Sequence, residues 1–178
     1  YAYPSGPTSP DVWMLGSSDY GAQLAAHLGL PYAFAWFITD GQGAEHALRL
    51  YRETFRPSER LNKPQATVCV WALAADSDAE AWRLFESRAR WRMDRNLGRI
   101  GPMLPPELAV RDYSVSEQLA LAQMKDNALV GSADMVADKL RNLAERLQVD
   151  EVVVITWTHE PQAQRHSYEL LAQAFALK

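Results

Sequence analysis

The chain has 178 residues, 48% of them hydrophobic and 22% charged; this excludes a disordered polymer and suffices for a real core in about one ordinary domain. A net charge of −4 excludes a general attraction to nucleic acid or anionic membrane, and no apolar run approaches the ~20 residues that span a bilayer. Cys69 is alone, so no internal disulfide forms, and no basic-then-apolar segment opens the chain; a cytoplasmic location is expected.

Residues 1–11 hold three prolines, a glycine and three Ser/Thr, and are expected to be loop or linker. Val12–Leu15 is long enough for one buried strand. From Tyr20 to Leu28 the period becomes helical, with Ala22, Ala25 and Ala26 on one face and Gly29 as the stop. Pro31 then opens PYAFAWFI, an apolar run of the kind buried on both faces of a parallel sheet. After Asp40-Gly-Gln-Gly, Ala44, Ala47, Leu48, Tyr51 and Phe55 form a helical stripe over 44–56.

Ala66–Ala75 is the third apolar run. Ser77 and Glu80 have capping-box spacing, and a helix to about Asn96 would turn Trp82, Phe85, Ala89 and Met93 inward. Residues 98–130 read as irregular, with a short helix around Glu117–Gln123. Gly131-Ser132 opens another helix, whose apolar face carries Val136, Leu140, Leu143, Ala144 and Leu147. Glu151–Trp157 is the fourth strand, and a last helix covers about Gln162–Leu177. The order is strand, helix, four times, which predicts an α/β fold with a parallel sheet. Four such strands are half of a (β/α)8 barrel of about 250 residues; the alternative is a small doubly wound sheet.

The stretch Leu15-Gly16-Ser17-Ser18-Asp19-Tyr20-Gly21 lies where a parallel strand meets its helix, the end of such sheets that binds ligands. The helix start offers unpaired N–H groups and a partial positive charge, which favour an anion such as phosphate. Gly16 lets the backbone come close, Ser17 and Ser18 offer hydroxyls, Tyr20 a phenol, and Gly21 leaves space. Asp19 suits a phosphate only if its carboxylate points away. The plainer alternative is that Ser18 or Asp19 simply caps the helix.

This stretch and its continuation to Phe37 resemble the bacterial luciferase-like flavin monooxygenases, in which a barrel strand ends in Leu-Gly-Ser-Ser and the next helix leads to Gly-Leu-Pro. Tyr51-Arg-Glu-Thr-Phe-Arg-Pro-Ser58 resembles the family's YRxxFxPS. Ala74-Ala75-Asp76-Ser77-Asp78 resembles its strand-to-helix junction, and Val130-Gly131-Ser132 with Val136 and Leu140 its GTPxxVxxxL. Arg165, Ser167-Tyr168 and Leu170-Leu171-Ala172 resemble its last helix. The likeness covers nearly the whole chain but only the carboxyl half of the family's.

The resemblance implies a (β/α)8 TIM barrel of which this chain carries strands five to eight, the rest lying upstream or cut away; a chain that starts at Tyr1 rather than Met agrees with that expectation. It implies FMN, used in reduced form, or a deazaflavin in relatives, with O2 and a small organic substrate such as an aldehyde, and a flavin reductase as partner. Gly16, Ser17, Ser18, Tyr20 and Gly21 are then the cofactor-binding candidates at the FMN phosphate. Trp36 and Phe37, where many relatives carry a polar residue, often His, are candidates for the substrate-pocket wall; plain core aromatics are the alternative. The family's catalytic histidine belongs to the other half, so no catalytic residue is assigned and the isolated fragment is expected to be inactive. A half-barrel exposes two strand edges and apolar interior, so a homo-oligomer, or pairing with the missing half, is the non-catalytic alternative.

Other signals are weaker. Asp40-Gly41-Gln42-Gly43-Ala44-Glu45-His46 begins like a dinucleotide fingerprint, but His46 stands where the third glycine belongs; a flexible loop at the barrel mouth is expected. Arg88, Arg92, Arg95 and Arg99 flank Trp91 at helical spacing, and are expected to be a solvated face with partners such as Glu86 and Asp94. His27, His46, His159 and His166 are scattered, so no metal site is expected.

Overall fold

The computed structural model describes residues 10–177; the prediction for 1–11 therefore lies almost wholly outside the described residues. The strands are β1 (Met14–Gly16), β2 (Tyr32–Ala35), β3 (Ala66–Ala75), β4 (Leu129–Ser132) and β5 (Glu151–Ile155). The helices are α1 (Asp19–Leu28), α2 (Trp36–Thr39), α3 (Ala44–Thr54), α4 (Asp78–Asn96), α5 (Pro106–Ala109), α6 (Val115–Asp126), α7 (Ala133–Leu147) and α8 (Pro161–Ala174). The fold is α/β with a parallel sheet, as expected.

β1 pairs β2, β2 pairs β3 and β3 pairs β5, all parallel. These four strands are neighbours in chain order, without the order reversal that marks a doubly wound dinucleotide fold. β4 is a fifth strand that the sequence reading missed. It pairs only Ala72–Ala75, the carboxyl half of β3, above the rows that β2 and β5 occupy.

Alternation along the strands sorts two cores. Tyr32, Phe34, Val68, Val70, Ala72 and Ala74 face α1, α3 and α7, meeting Ala22, Ala25, Ala26, Ala47, Leu48, Val136 and Leu140. Trp71, Leu73 and Ala75 point to the opposite face, where Ala81, Leu84, Phe85 and Ala89 of α4 cover them. Lower on that second face Leu15, in register with Ala33, is 56% exposed, and Val153, in register with Cys69, is 38% exposed. In the run Glu151–Trp157, Val152 and Val154 pack against the first core and Ile155 and Trp157 against the second, while Val153 between them is left exposed.

Two features lock the connection from α1 to β2. Gly29 ends α1 at φ +60, and a Cβ there would sit 2.7 Å from the Arg56 carbonyl, so only glycine passes. Tyr51 of α3 donates to the Leu30 carbonyl at 2.9 Å. The second expected strand is corrected too: PYAFAWFI stops being strand at Ala35, and residues 36–39 form one helical turn. Arg92 of α4 explains this, donating to the Phe37 carbonyl at 2.9 Å and to that of Ile38, so the turn's free carbonyls are capped by a cation.

Candidate functional site: the turn after the first strand

β1 ends at Gly16, and Ser18 is the residue before α1, extended at φ −143 and ψ 164. Ser18 occupies the N-cap position, but its side chain makes no capping bond. No described residue hydrogen-bonds the hydroxyl of Ser17 or Ser18. The carbonyls of Gly16 and Ser18, in contrast, have partners. The Tyr32 phenol, buried in β2, lies 3.3 Å from the Gly16 carbonyl and 3.5 Å from that of Ser18, and the Ala22 amide donates to Ser18 at 3.2 Å. These two acceptors are thus engaged, while the hydroxyls stay available.

Burial, then the nearby charge of Asp19, push the Tyr32 phenol up to about 12, so it remains a donor across the ordinary pH range. Gly16 and Gly21 run close together: a Cβ on Gly16 would lie 3.4 Å from the Gly21 Cα. Tyr20 is 74% exposed and stands outside the turn. Asp19, the residue least suited to an anion site, is engaged elsewhere: its Oδ2 is 3.4 Å from His46 Nε2 on α3.

Trp36 and Phe37 do not line one common wall. Trp36 is buried in the first core, with Gly41 against its ring and the Arg146 guanidinium 5.8 Å above it. Phe37 is half-buried on the second face and meets the Trp157 ring edge-on at 5.9 Å; Trp157 in turn meets Trp91 at 6.0 Å. Trp91 and Trp157 were not singled out as a pair in the sequence, since 66 positions separate them; only the tight turn after β2 and the span of α4 bring them to Phe37.

The Asp40-Gly41-Gln42-Gly43 segment is a tight turn, with Asp40, Gly41 and Gly43 all at positive φ. It edges a cavity of about 790 Å³ with Trp36, His46, Arg49, Met93 and Arg146. The arginine series divides: Arg95 and Arg99 are exposed, with Arg99 3.9 Å from Asp94 as a solvated face predicts, whereas Arg88 and Arg92 turn inward. Arg88 is buried, stacked 4.1 Å over the Trp71 ring and 3.5 Å from Asp40, and Arg92 is 3.8 Å from the same carboxylate. Burial pulls the Arg88 guanidinium down to about 10 despite Asp40. Arg90 and Asp94 pair as helix neighbours at 2.6 Å, while Glu86 pairs with Lys125. Among the described residues no group of acidic, His or Cys side chains is arranged to hold a metal, and no helix is long and apolar enough to cross a membrane.

The comparisons with known proteins bear on the family and the fold. The family model described as luciferase-like monooxygenase matches residues 2–151. The chain belongs to the luciferase-like monooxygenase family. A relative of that name from Escherichia coli (strain K12) is 42% identical over 161 residues, 89% of this chain and 48% of its own length. The Bacillus subtilis (strain 168) protein YwcH is 37% identical over 98% of this chain and 53% of its own length. This luciferase-like chain thus spans about half the length of the curated relatives it matches. Among solved structures, apo-MsnO8 superposes with a TM-score of 0.84 at 31% identity, over 99% of this chain and 54% of that one. The oxygenating constituent of 3,6-diketocamphane monooxygenase, in complex with FMN, has a TM-score of 0.63 at 18% identity, over 96% of this chain and 49% of its own. That second likeness shows the fold alone.

Proposed function

We propose that this chain is the flavin-phosphate half of a luciferase-like monooxygenase barrel, carrying strands five to eight. The whole protein would use reduced FMN, delivered by a flavin reductase, and O2 to oxidise a small organic substrate such as an aldehyde. The observation that carries the reading is the serine turn: two hydroxyls without a protein partner at a helix start, with the Tyr32 phenol set against the Gly16 and Ser18 carbonyls. Such a donor set suits a phosphate, by hydrogen bonding and by the helix charge together. Ser17 and Ser18 would bind it, Gly16 and Gly21 would keep the backbone close, and exposed Tyr20 would close over its outer side. When bound, reduced flavin supplies the electrons that activate O2. The chain's own part is to hold the phosphate, to orient the ring system over the carboxyl ends of the strands, and to keep water out with Phe37, Trp91 and Trp157.

The test is a calorimetric titration of the chain with FMN. Saturable binding that disappears in a Ser17→Ala/Ser18→Ala variant is expected. Binding unaffected by that change refutes the phosphate assignment.

A second reading, a non-catalytic half-barrel that self-associates or pairs with a missing half, draws on Leu15 and Val153. Both are apolar and exposed on one sheet face, and the outer edges of β1 and β5 have no strand partner among the described residues. Sedimentation decides it. Association that is lost in a Leu15→Glu/Val153→Glu variant, with no FMN binding at all, favours this reading over the first.

A further inference from the structure

Resting on the serine turn as the phosphate site, we propose that His46 is a positioning residue that draws the Asp19 carboxylate off that turn, with Arg49 fixing the imidazole. Asp19 follows Ser18 directly and begins α1. A carboxylate there profits from the helix charge but opposes a second anion a few ångströms away. Its Oδ2 lies 3.4 Å from His46 Nε2, on the first turn of the neighbouring helix α3. The other ring nitrogen, Nδ1, is 3.2 Å from Arg49 Nη2. A guanidinium only donates, so Nδ1 accepts and Nε2 carries the hydrogen, which lies in electrostatic range of Asp19 without a formed hydrogen bond.

The relay Arg49 to His46 to Asp19 thus crosses from α3 to α1 and ends beside the two free hydroxyls. Two further features favour a role beyond a surface ion pair. Arg49 has no carboxylate partner among the described residues, so its charge is left to act through His46 and along the rim of the 790 Å³ cavity that both residues line. The turn itself holds its acceptors inward through Tyr32, so Asp19 is the one remaining anionic group adjoining the hydroxyls in sequence. Moving that group aside leaves the two hydroxyls without a neighbouring negative charge.

The experiment compares FMN with riboflavin, which has the same ring system and no phosphate, by calorimetry on the chain and its variants. The FMN-over-riboflavin preference is expected to fall about fivefold in His46→Ala. It should be retained in His46→Gln, whose amide also donates, and recovered in Asp19→Asn/His46→Ala. A preference unchanged in His46→Ala, but still lowered in Ser17→Ala/Ser18→Ala, overturns the positioning role and leaves the phosphate site standing. No preference in the unmodified chain overturns the phosphate reading and this role with it. Nitrogen NMR of the His46 ring gives a ligand-free check: the Nε2–H tautomer is expected, and an Nδ1–H tautomer overturns the relay.

Discussion

The Tyr32 phenol stands between the carbonyls of Gly16 and Ser18, at 3.3 and 3.5 Å, so one buried side chain of β2 sets the orientation of the turn after β1. Tyr32→Phe removes that donor and keeps the ring. It is expected to cost about 1 kcal/mol of stability and to weaken FMN binding a few-fold, since the carbonyls are then free to turn outward. Urea unfolding and FMN titration read the two effects. The raised phenol also has a pH signature. The folded chain keeps this proton after an unfolded tyrosine has lost it, so the stabilisation is full below about pH 10 and is lost as pH rises through about 12. In the Phe variant that loss is expected to shrink.

Ser18→Asp places a second carboxylate in the turn, out of reach of the partner that holds Asp19. Repulsion of a phosphate at such distances, reduced by solvent, is expected to weaken FMN by at least about tenfold while riboflavin is unaffected. Equal loss for both ligands would mean that the turn has been distorted rather than charged.

Asp40 holds two arginines of α4, and Arg88 is the buried one. Asp40→Asn suits the positive φ of that position but leaves the guanidinium uncompensated, so a loss of about 2–3 kcal/mol is expected. Arg88→Met in the same chain is expected to recover most of it, because a Met fills the space over Trp71 without a charge. A double-mutant cycle by urea unfolding measures this coupling; additive losses would show that the pair is not coupled.

Glu117 closes the start of α6. The Arg111 guanidinium first, and then the Ser114 backbone amide, pull its carboxyl from an ordinary 4.5 to about 2. A lowered carboxyl contributes stability above its unfolded value, and loses it as pH falls through the folded one. The amides of α6 are therefore expected to lose protection, measured against their intrinsic exchange rates at each pH, as pH drops from about 4.5 toward 2, and Glu117→Gln to blunt that dependence. Amide exchange followed by mass spectrometry reads it.

The parts of the fold legible in the sequence were those set by local period. The alanine face of α1 and the stripe of Ala44, Ala47, Leu48 and Tyr51 fall where their spacing puts them. The parts that were not legible depend on distant partners. Apolarity alone does not separate strand from helical turn in PYAFAWFI; Arg92, on a helix three elements later, decides it. Leu129–Ser132 is too short to announce itself. It is held by the upper half of β3, by Gly131 at φ +154 and by the Asp78 carboxylate on the Ser132 amide. At the site, Ser17 and Ser18 could be found from the helix start that follows them, whereas His46 was read as a misplaced fingerprint residue. Its relation to Asp19 exists only because α1 and α3 lie side by side.

The in-order sheet has a symmetry consequence. Its main strands all run one way, and its outer members are the first, β1, and the last, β5. A two-fold axis parallel to the strands therefore carries the free edge of β5 onto the free edge of β1 in the same sense, and does so twice. Two copies related in this way would close a ring of twice as many main strands with no connection rewired. Each seam would have the same polarity as the joins already within the chain. Duplication of such a unit, or its pairing with an unlike unit of the same handedness, would therefore meet identical geometric terms at both seams.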